Sequence, residues 1–155
     1  MIIENCLKMK IGKEDFMRQA EKNTAAQEKI IAAATREFAA HGFEAASMNV
    51  ICRDGGISKG NLYHYFPSKE ALYLSCVKKS LDGLTSAISK GLEESSENAD
   101  NIIDVYFDSR IKFFRQNQDL GLLFCRCMAV PDKKIRDKVI LLRRKLDKLN
   151  MEVVI

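Results

Sequence analysis

Residues 59–64 bring lysine, asparagine, tyrosine and histidine side chains together, with a glycine among them. These side chains can hydrogen-bond to phosphate oxygens or to the edges of nucleic-acid bases. If Ser58 begins a helix here, Leu62 and Phe66, four residues apart, face inward as an apolar anchor. The residues left facing outward are Lys59, Gly60, Asn61, Tyr63 and His64. A polar surface over an apolar anchor is typical of a helix that recognises DNA.

Two further helix starts extend this candidate surface. Helices that begin after Ser47 and at Lys69 would offer free N–H groups to phosphates. Lysine pairs well with guanine acceptors and asparagine with adenine, so Lys59 and Asn61 are the expected base contacts. The serines also suit simple helix capping, and the sequence leaves the two interpretations even for them. The predicted DNA-contacting residues are Ser47, Asn49, Ser58, Lys59, Gly60, Asn61, Tyr63, His64 and Lys69.

Three helices must position this surface. A capping box of Thr24 and Gln27 predicts the start of the first, and Gly42 predicts its end, with Phe43 folding back. The second runs from about residue 47 to 54, and the glycine pair at 55–56 turns the chain into the third. Two short helices joined by a tight glycine turn indicate a helix-turn-helix. Residues 1–23 are interpreted as an extension, residues 24–70 as the helix-turn-helix domain and residues 71–155 as a second helical domain.

Apolar spacings of three and four recur through the rest of the chain and predict an all-α protein. We expect a long helix from Ser68, two further helices over about 101–116 and 120–130, and a last one from about Asp132. That last helix carries a coiled-coil-like apolar seam made of Ile135, Val139, Leu142, Leu146, Leu149 and Val153. The seam is expected to pack within its own subunit or against a second copy. Because it continues to the last residues, we expect the C-terminal domain to be shortened or incomplete.

Composition limits the functional classes. The chain has 155 residues, 46% of them hydrophobic, and a net charge of +4. No apolar run reaches the ~18 residues that indicate a membrane span, and no signal peptide is evident, so we expect a cytoplasmic protein. The five cysteines include no C-x-x-C pair, which argues against a disulfide framework. Residues 133–148 hold eight bases and two acids; a solvated helix face is favoured there over a nucleic-acid patch.

No arrangement of residues suggests catalysis. The sequence lacks a serine-histidine-aspartate spacing and a phosphate-binding loop, so we predict that the protein is not an enzyme. Cys125 and Cys127 could share a soft metal or sense redox state, but no further ligand is near in sequence, and small core residues are favoured. The sequence therefore indicates no metal site and no cofactor.

Residues 28–75 resemble the DNA-binding region of the tetracycline-repressor (TetR) family of bacterial transcription regulators. The resemblance rests on the segments IIAAA at 30–34, FAAHGF at 38–43, SMNVI at 47–51, GISKGNLYHYF at 56–66 and SKEAL at 68–72. It implies a ligand-responsive regulator, most often a repressor, that binds a pseudo-palindromic double-stranded DNA operator as a homodimer. It also implies a pocket in the C-terminal helices for a small-molecule effector that the sequence does not identify.

The aromatic residues of those helices are the candidates for the pocket, although aromatic side chains at helical spacing also suit plain core. The candidate set is Phe107, Phe113, Phe114, Phe124 and Met128. The alternative function is a helical interaction protein, or a truncated remnant of the fold, without regulated DNA binding. The intact surface between Ser58 and Lys69 favours the regulator, because an interaction module would not need it.

Overall fold

The computed structural model describes the backbone of residues 2–95 and 102–154, and most of the side chains from residue 17 onward. Within these ranges every regular element is an α-helix, which confirms the all-α prediction. The helices are α1 (Ile2–Ala45), α2 (Met48–Gly55), α3 (Lys59–Tyr65), α4 (Lys69–Glu94), α5 (Ile102–Gln116), α6 (Gln118–Cys127) and α7 (Lys133–Val154). Among the described residues, no helix has both the length and the apolar character needed to cross a lipid bilayer.

The first helix corrects one prediction. It begins at Ile2 and runs through Thr24, so Thr24 is not a helix cap. Instead the Thr24 hydroxyl donates a hydrogen bond to the carbonyl oxygen of Ala20, 3.0 Å away. A threonine inside a helix can satisfy its hydroxyl in this way, and the capping-box pattern is therefore misleading here. The domain boundary placed at this residue stays a prediction.

The other end of α1 follows the prediction. Gly42 has φ 75° and ψ −179°, which breaks the helical path before a last turn over residues 43–45. Residues with side chains rarely adopt such a φ, so a glycine is needed here. Phe43 folds back, with its ring centroid 6.4 Å from that of Phe38 and 5.1 Å from that of Tyr73. The break thus turns the chain toward α2. The rings of Phe38, Phe43 and Tyr73 pack together at this point and form an aromatic corner.

The α2–α3 pair forms the predicted helix-turn-helix. Gly56 ends α2 in the left-handed region at φ 61°, and its N–H points to the carbonyl oxygens of Cys52 and Arg53. A Cβ atom at Gly55 would lie 2.9 Å from Ile57 and 3.3 Å from Ala33. The two glycines therefore have different tasks, because Gly56 supplies the turn and Gly55 lets α2 approach α1 closely.

One continuous core joins the two parts of the chain through α4. The α4 helix packs against α1, α5, α6 and α7, and α6 also packs directly against α1. Side chains in the first turn of α4 and in its second half are fully buried, among them Leu72, Tyr73, Leu84 and Ile88. The helix-turn-helix is therefore tied to the C-terminal helices by side-chain packing.

The apolar seam of α7 packs within its own subunit. Ile135, Val139 and Leu146 are buried, and the other seam positions are half-buried against the core. Three of the basic residues beside the seam pair with acids, and these acids are Glu70, Asp147 and Glu152. Lys138 and Glu70 join α7 to the first turn of α4, and this pairing lowers the pKa of the Glu70 carboxyl group.

Candidate nucleic-acid interface

The third helix is held at its start and anchored from below. Ser58 is its N-cap, and its hydroxyl oxygen accepts a hydrogen bond from the Asn61 N–H, 3.1 Å away. Leu62 is fully buried and Phe66 is 8% exposed. The predicted cap and anchor are thus both present, and they fix which side of α3 faces solvent.

The outward side of α3 carries the predicted contact residues. All five are exposed, and they are Lys59, Gly60, Asn61, Tyr63 and His64. Within the described part of the chain, the Lys59 ammonium and the side-chain amide of Asn61 make no hydrogen bond or ion pair. Their donors and acceptors are therefore available to another molecule.

Gly60 has no role in packing of the described chain. A Cβ atom built at this position would have no heavy atom within 4 Å, and its φ is not positive. Glycine within a helix costs about 0.5–1 kcal/mol relative to alanine. The fold therefore does not require this glycine, whereas close approach of another surface to the α3 backbone would.

The aromatic residues at the end of α3 lock the helix to α1. The Tyr65 hydroxyl donates a hydrogen bond to the side-chain oxygen of Asn23, 3.1 Å away. The His64 ring meets the Tyr65 ring edge-on, with centroids 5.1 Å apart. Tyr65 thus holds α3 against α1, and the exposed His64 ring packs against the Tyr65 ring.

Residues at the start of α2 are held by an acid that sequence analysis missed. Ser47 caps α2, and its own N–H donates to the Glu37 carboxylate, 2.9 Å away. Glu37 is buried, and its second oxygen lies 3.7 Å from Nε2 of His41. The sequence does carry a signal for this contact. An acid on the apolar side of α1 is buried by folding and therefore needs a hydrogen-bond donor. Asn49 is exposed in the first turn of α2.

Lys69 has a partner within the protein. Its ammonium donates to the carbonyl oxygen of Glu44, 3.0 Å away, and lies 5.2 Å from the centroid of the Phe43 ring. Lys69 therefore holds the end of α1 against the start of α4. An ammonium has three N–H donors, so a phosphate contact remains compatible with this position and stays a prediction.

The expected effector-pocket residues have different surroundings in the described part of the chain. Phe113 is buried and lines a cleft of about 240 Å³ with Lys90 and Lys112. The Phe114 ring lies edge-on to that of Phe113 and tilted to that of Phe124, at centroid distances of 5.7 and 5.5 Å. The Met128 sulfur lies 3.0 Å from an Arg143 nitrogen.

Phe107 is the clear exception among these residues. It is 55% exposed on the outer side of α5, so its assignment to an internal pocket is wrong for the single chain. The reason is that α5 is apolar on more than one side, and its spacing alone cannot tell a buried side from an exposed one.

The cysteine pair of α6 is split between core and surface. Cys127 is buried, and burial raises the pKa of its thiol to about 12, whereas Cys125 is exposed. A thiol is a metal ligand as the thiolate, which this burial disfavours. Across residues 2–95 and 102–154, no group of three or more potential ligands is placed to hold a metal ion. The side chain of Cys6 lies outside the described residues.

Comparison with known proteins identifies this architecture. Residues 30–76, which include α2, α3 and the start of α4, match the family model of the bacterial regulatory proteins of the tetR family. Residues 30–76 are a TetR-family segment. The match covers the helix-turn-helix and the aromatic corner that supports it.

Relatives extend the TetR-family likeness beyond the matched segment. The regulator RutR of Escherichia coli K12 is 29% identical over 116 residues, which are 75% of this chain and 54% of RutR. The activator FasR of Mycolicibacterium smegmatis is 31% identical over 83 residues, which are 52% of this chain and 38% of FasR. The chain thus spans about half, or less, of the length of these curated relatives.

A solved TetR-family structure shares the fold. The regulator PfmR of Thermus thermophilus aligns with a TM-score of 0.64 and 26% identity, over 81% of this chain and 68% of that chain. The likeness covers both the helix-turn-helix and helices that follow it. The TetR-family arrangement of an N-terminal helix-turn-helix before a helical C-terminal part therefore describes this protein.

Proposed function

We propose that this chain binds double-stranded DNA through α3 and regulates transcription. The observation that carries the proposal is the free surface of α3. Lys59 and the side chain of Asn61 have no partner in the described part of the chain, and Gly60 has open space where a side chain would stand. Unpaired donors beside an uncovered stretch of backbone suit a ligand that approaches closely.

The residues divide by chemistry into base and phosphate contacts. Lys59 and Asn61, at the start of the helix, reach base edges in the major groove. The hydroxyl and imidazole groups of Tyr63 and His64 bind phosphate oxygens, which fix the position of the protein on the duplex. The remaining phosphate contacts come from the helix starts at Ser47, Ser58 and Lys69, with Asn49 beside them.

The regulator acts as a homodimer on a pseudo-palindromic operator. Dimers of helix-turn-helix proteins place their recognition helices about 34–36 Å apart, one helical turn of DNA. An exposed apolar stripe on α5, formed by Ile103, Phe107 and Ile111, supports self-association. We infer repression in response to a small-molecule effector. The activator FasR makes activation the alternative outcome in a reporter assay.

The test is to recover genomic fragments bound by the purified protein and to footprint them. Lys59→Ala and Asn61→Ala should each reduce discrimination between operator variants by about 1–3 kcal/mol, the size of a good bidentate base contact. Lys90→Ala, on an exposed part of α4, is the matched control and should leave the ranking unchanged. If both α3 variants also rank the operator variants as the parent does, base recognition lies elsewhere.

A helical interaction protein without DNA binding is the competing function. Sizing the protein in solution with and without bound fragments separates the two. A complex that forms only with DNA of a defined sequence supports the regulator. Absence of any shift with genomic fragments supports the interaction protein.

A further inference from the structure

A cleft of about 490 Å³ lies where α1, α4 and the α5–α6 junction meet. It is separate from the α3 surface and from the expected aromatic pocket. Its walls carry three cationic side chains, which are Arg36 from α1, Lys79 from α4 and Arg115 from the end of α5. Asp119 is the one acid among the lining residues, so the charge of the lining is positive.

The three cations are not neutralised by the protein around them. In the described part of the chain, none of them forms a hydrogen bond or an ion pair with an acid, Asp119 included. Like charges that share a concave surface repel one another and raise the local concentration of anions. Two of the three are arginines, whose planar groups suit carboxylate and phosphate oxygens.

The start of α6 adds backbone donors to this cleft. Asn117 is the N-cap of this ten-residue helix, but its side chain makes no capping hydrogen bond and donates instead to the Phe113 carbonyl oxygen, 3.0 Å away. The first N–H groups of a helix lack partners within it. Those of α6 are therefore left for an acceptor outside the helix, and the dipole of α6 favours a negative one.

A buried hydroxyl group also lines the cleft. Thr35 lines the cleft and is 4% exposed. Its oxygen has no nitrogen or oxygen partner among the described residues, and the Cys76 thiol is the weak hydrogen-bonding group beside it. Buried polar groups are nearly always paired. Because a thiol is only a weak partner, the Thr35 hydroxyl group keeps hydrogen-bonding capacity that a ligand in the cleft can use.

We propose that this cleft binds a small organic anion carrying a carboxylate or phosphate group. We also propose that this binding alters the helix-turn-helix of α2 and α3 and thereby its affinity for DNA, an effect called transmission below. The transmission part rests on the proposed function. The α6 helix offers a direct route, because its first turn forms the cleft and Arg126 near its end reaches α1. Arg126 donates to the carbonyl oxygens of Ala39 and Ala40, at 2.6 and 2.8 Å, just before the break at Gly42.

Binding is tested on the full chain without DNA, by calorimetric titration at constant ionic strength. The probes are inorganic phosphate and succinate, which separate a phosphate from a carboxylate preference. We expect saturable one-to-one binding of at least one probe, weakened tenfold or more by Arg36→Gln and by Arg115→Gln. Lys112→Gln is the control, because Lys112 lies on the same helix as Arg115 but lines the neighbouring cleft.

Two results would overturn the binding part. One is the absence of saturable binding of either probe up to about 10 mM, which is weaker than the range of specific ligands. The other is equal weakening by Lys112→Gln, which would indicate general charge attraction. Because no DNA is present, neither result depends on the proposed function.

Transmission is tested by measuring operator affinity with and without a saturating amount of the bound probe. We expect the affinity to change in the parent protein and to stay constant in Arg115→Gln. An unchanged affinity in the parent would overturn transmission. Failure to bind any DNA would instead contradict the proposed function.

Discussion

At the scale of single residues, Gly60 separates folding from function most sharply. Its replacement by alanine meets no neighbour within 4 Å. Gly60→Ala should therefore leave stability unchanged or raise it by up to about 1 kcal/mol, because alanine is the better helix former. The same methyl group would stand between the α3 backbone and DNA, so operator affinity should fall.

Urea unfolding and operator titration of Gly60→Ala measure the two effects separately. Gly55→Ala is the matched control, because a Cβ there lies 2.9 Å from Ile57 and should destabilise the protein. Unchanged operator affinity in Gly60→Ala would mean that the backbone of α3 does not approach DNA closely.

Lys69 combines a structural contact with a predicted functional one. Lys69→Met removes the hydrogen bond to the Glu44 carbonyl oxygen, which should cost about 0.5–1.5 kcal/mol of unfolding free energy. If the ammonium also contacts a phosphate, the slope of log affinity against log salt should fall by about 0.9. Lower stability with an unchanged slope would leave Lys69 as a structural residue only.

At the scale of helices, sequence patterns predicted those features whose cause is local. Ser47, Ser58 and Ser68 are caps because their hydroxyl groups bind N–H groups three residues ahead. Thr24 carries the same local signal, yet the helix continues through it. The sequence around a cap cannot reveal that the preceding residues are themselves helical.

Features that depend on distant contacts were not predictable. Glu37 binds the Ser47 N–H across ten residues, and Arg126 binds α1 across more than eighty. The resemblance places a pocket among the C-terminal aromatic residues, Phe107 included, whereas the Phe107 side chain is 55% exposed in the folded chain. Local periodicity defines a helix, whereas its orientation depends on its neighbours.

The link between α6 and α1 gives a prediction at this scale. Arg126→Gln removes two hydrogen bonds to the Ala39 and Ala40 carbonyl oxygens, next to the break at Gly42. We expect unfolding free energy to fall by about 1–3 kcal/mol, since these bonds come from a charged donor. Hydrogen exchange at the end of α1 and in α2 should quicken, as a local opening there becomes easier.

Arg144→Gln is the control for this change, because Arg144 is an exposed arginine of α7 without a partner among the described residues. It should alter neither stability nor exchange. Equal exchange rates in Arg126→Gln and in the parent protein would show that α6 does not hold the end of α1.

At the scale of the whole molecule, the exposed stripe on α5 bears on assembly. Ile103, Phe107 and Ile111 follow one another at four-residue intervals and are 55%, 55% and 47% exposed. Residues four apart lie on one side of a helix, so the three form a continuous apolar surface. In a two-fold symmetric dimer, the same stripe of a second copy would pack against this surface and cover it.

Phe107→Asp tests this arrangement without disturbing the core, because the side chain is already exposed. Sedimentation velocity should show the variant as a monomer at concentrations where the parent protein is a dimer. Its operator affinity should fall. The slope of its log affinity against log salt should drop to about half, because one helix-turn-helix releases about half of the counterions that two release. Leu122→Asp, which changes an exposed apolar residue of α6, should keep both the dimer and the slope. A dimeric Phe107→Asp with the parent's slope would place the subunit contact on another surface.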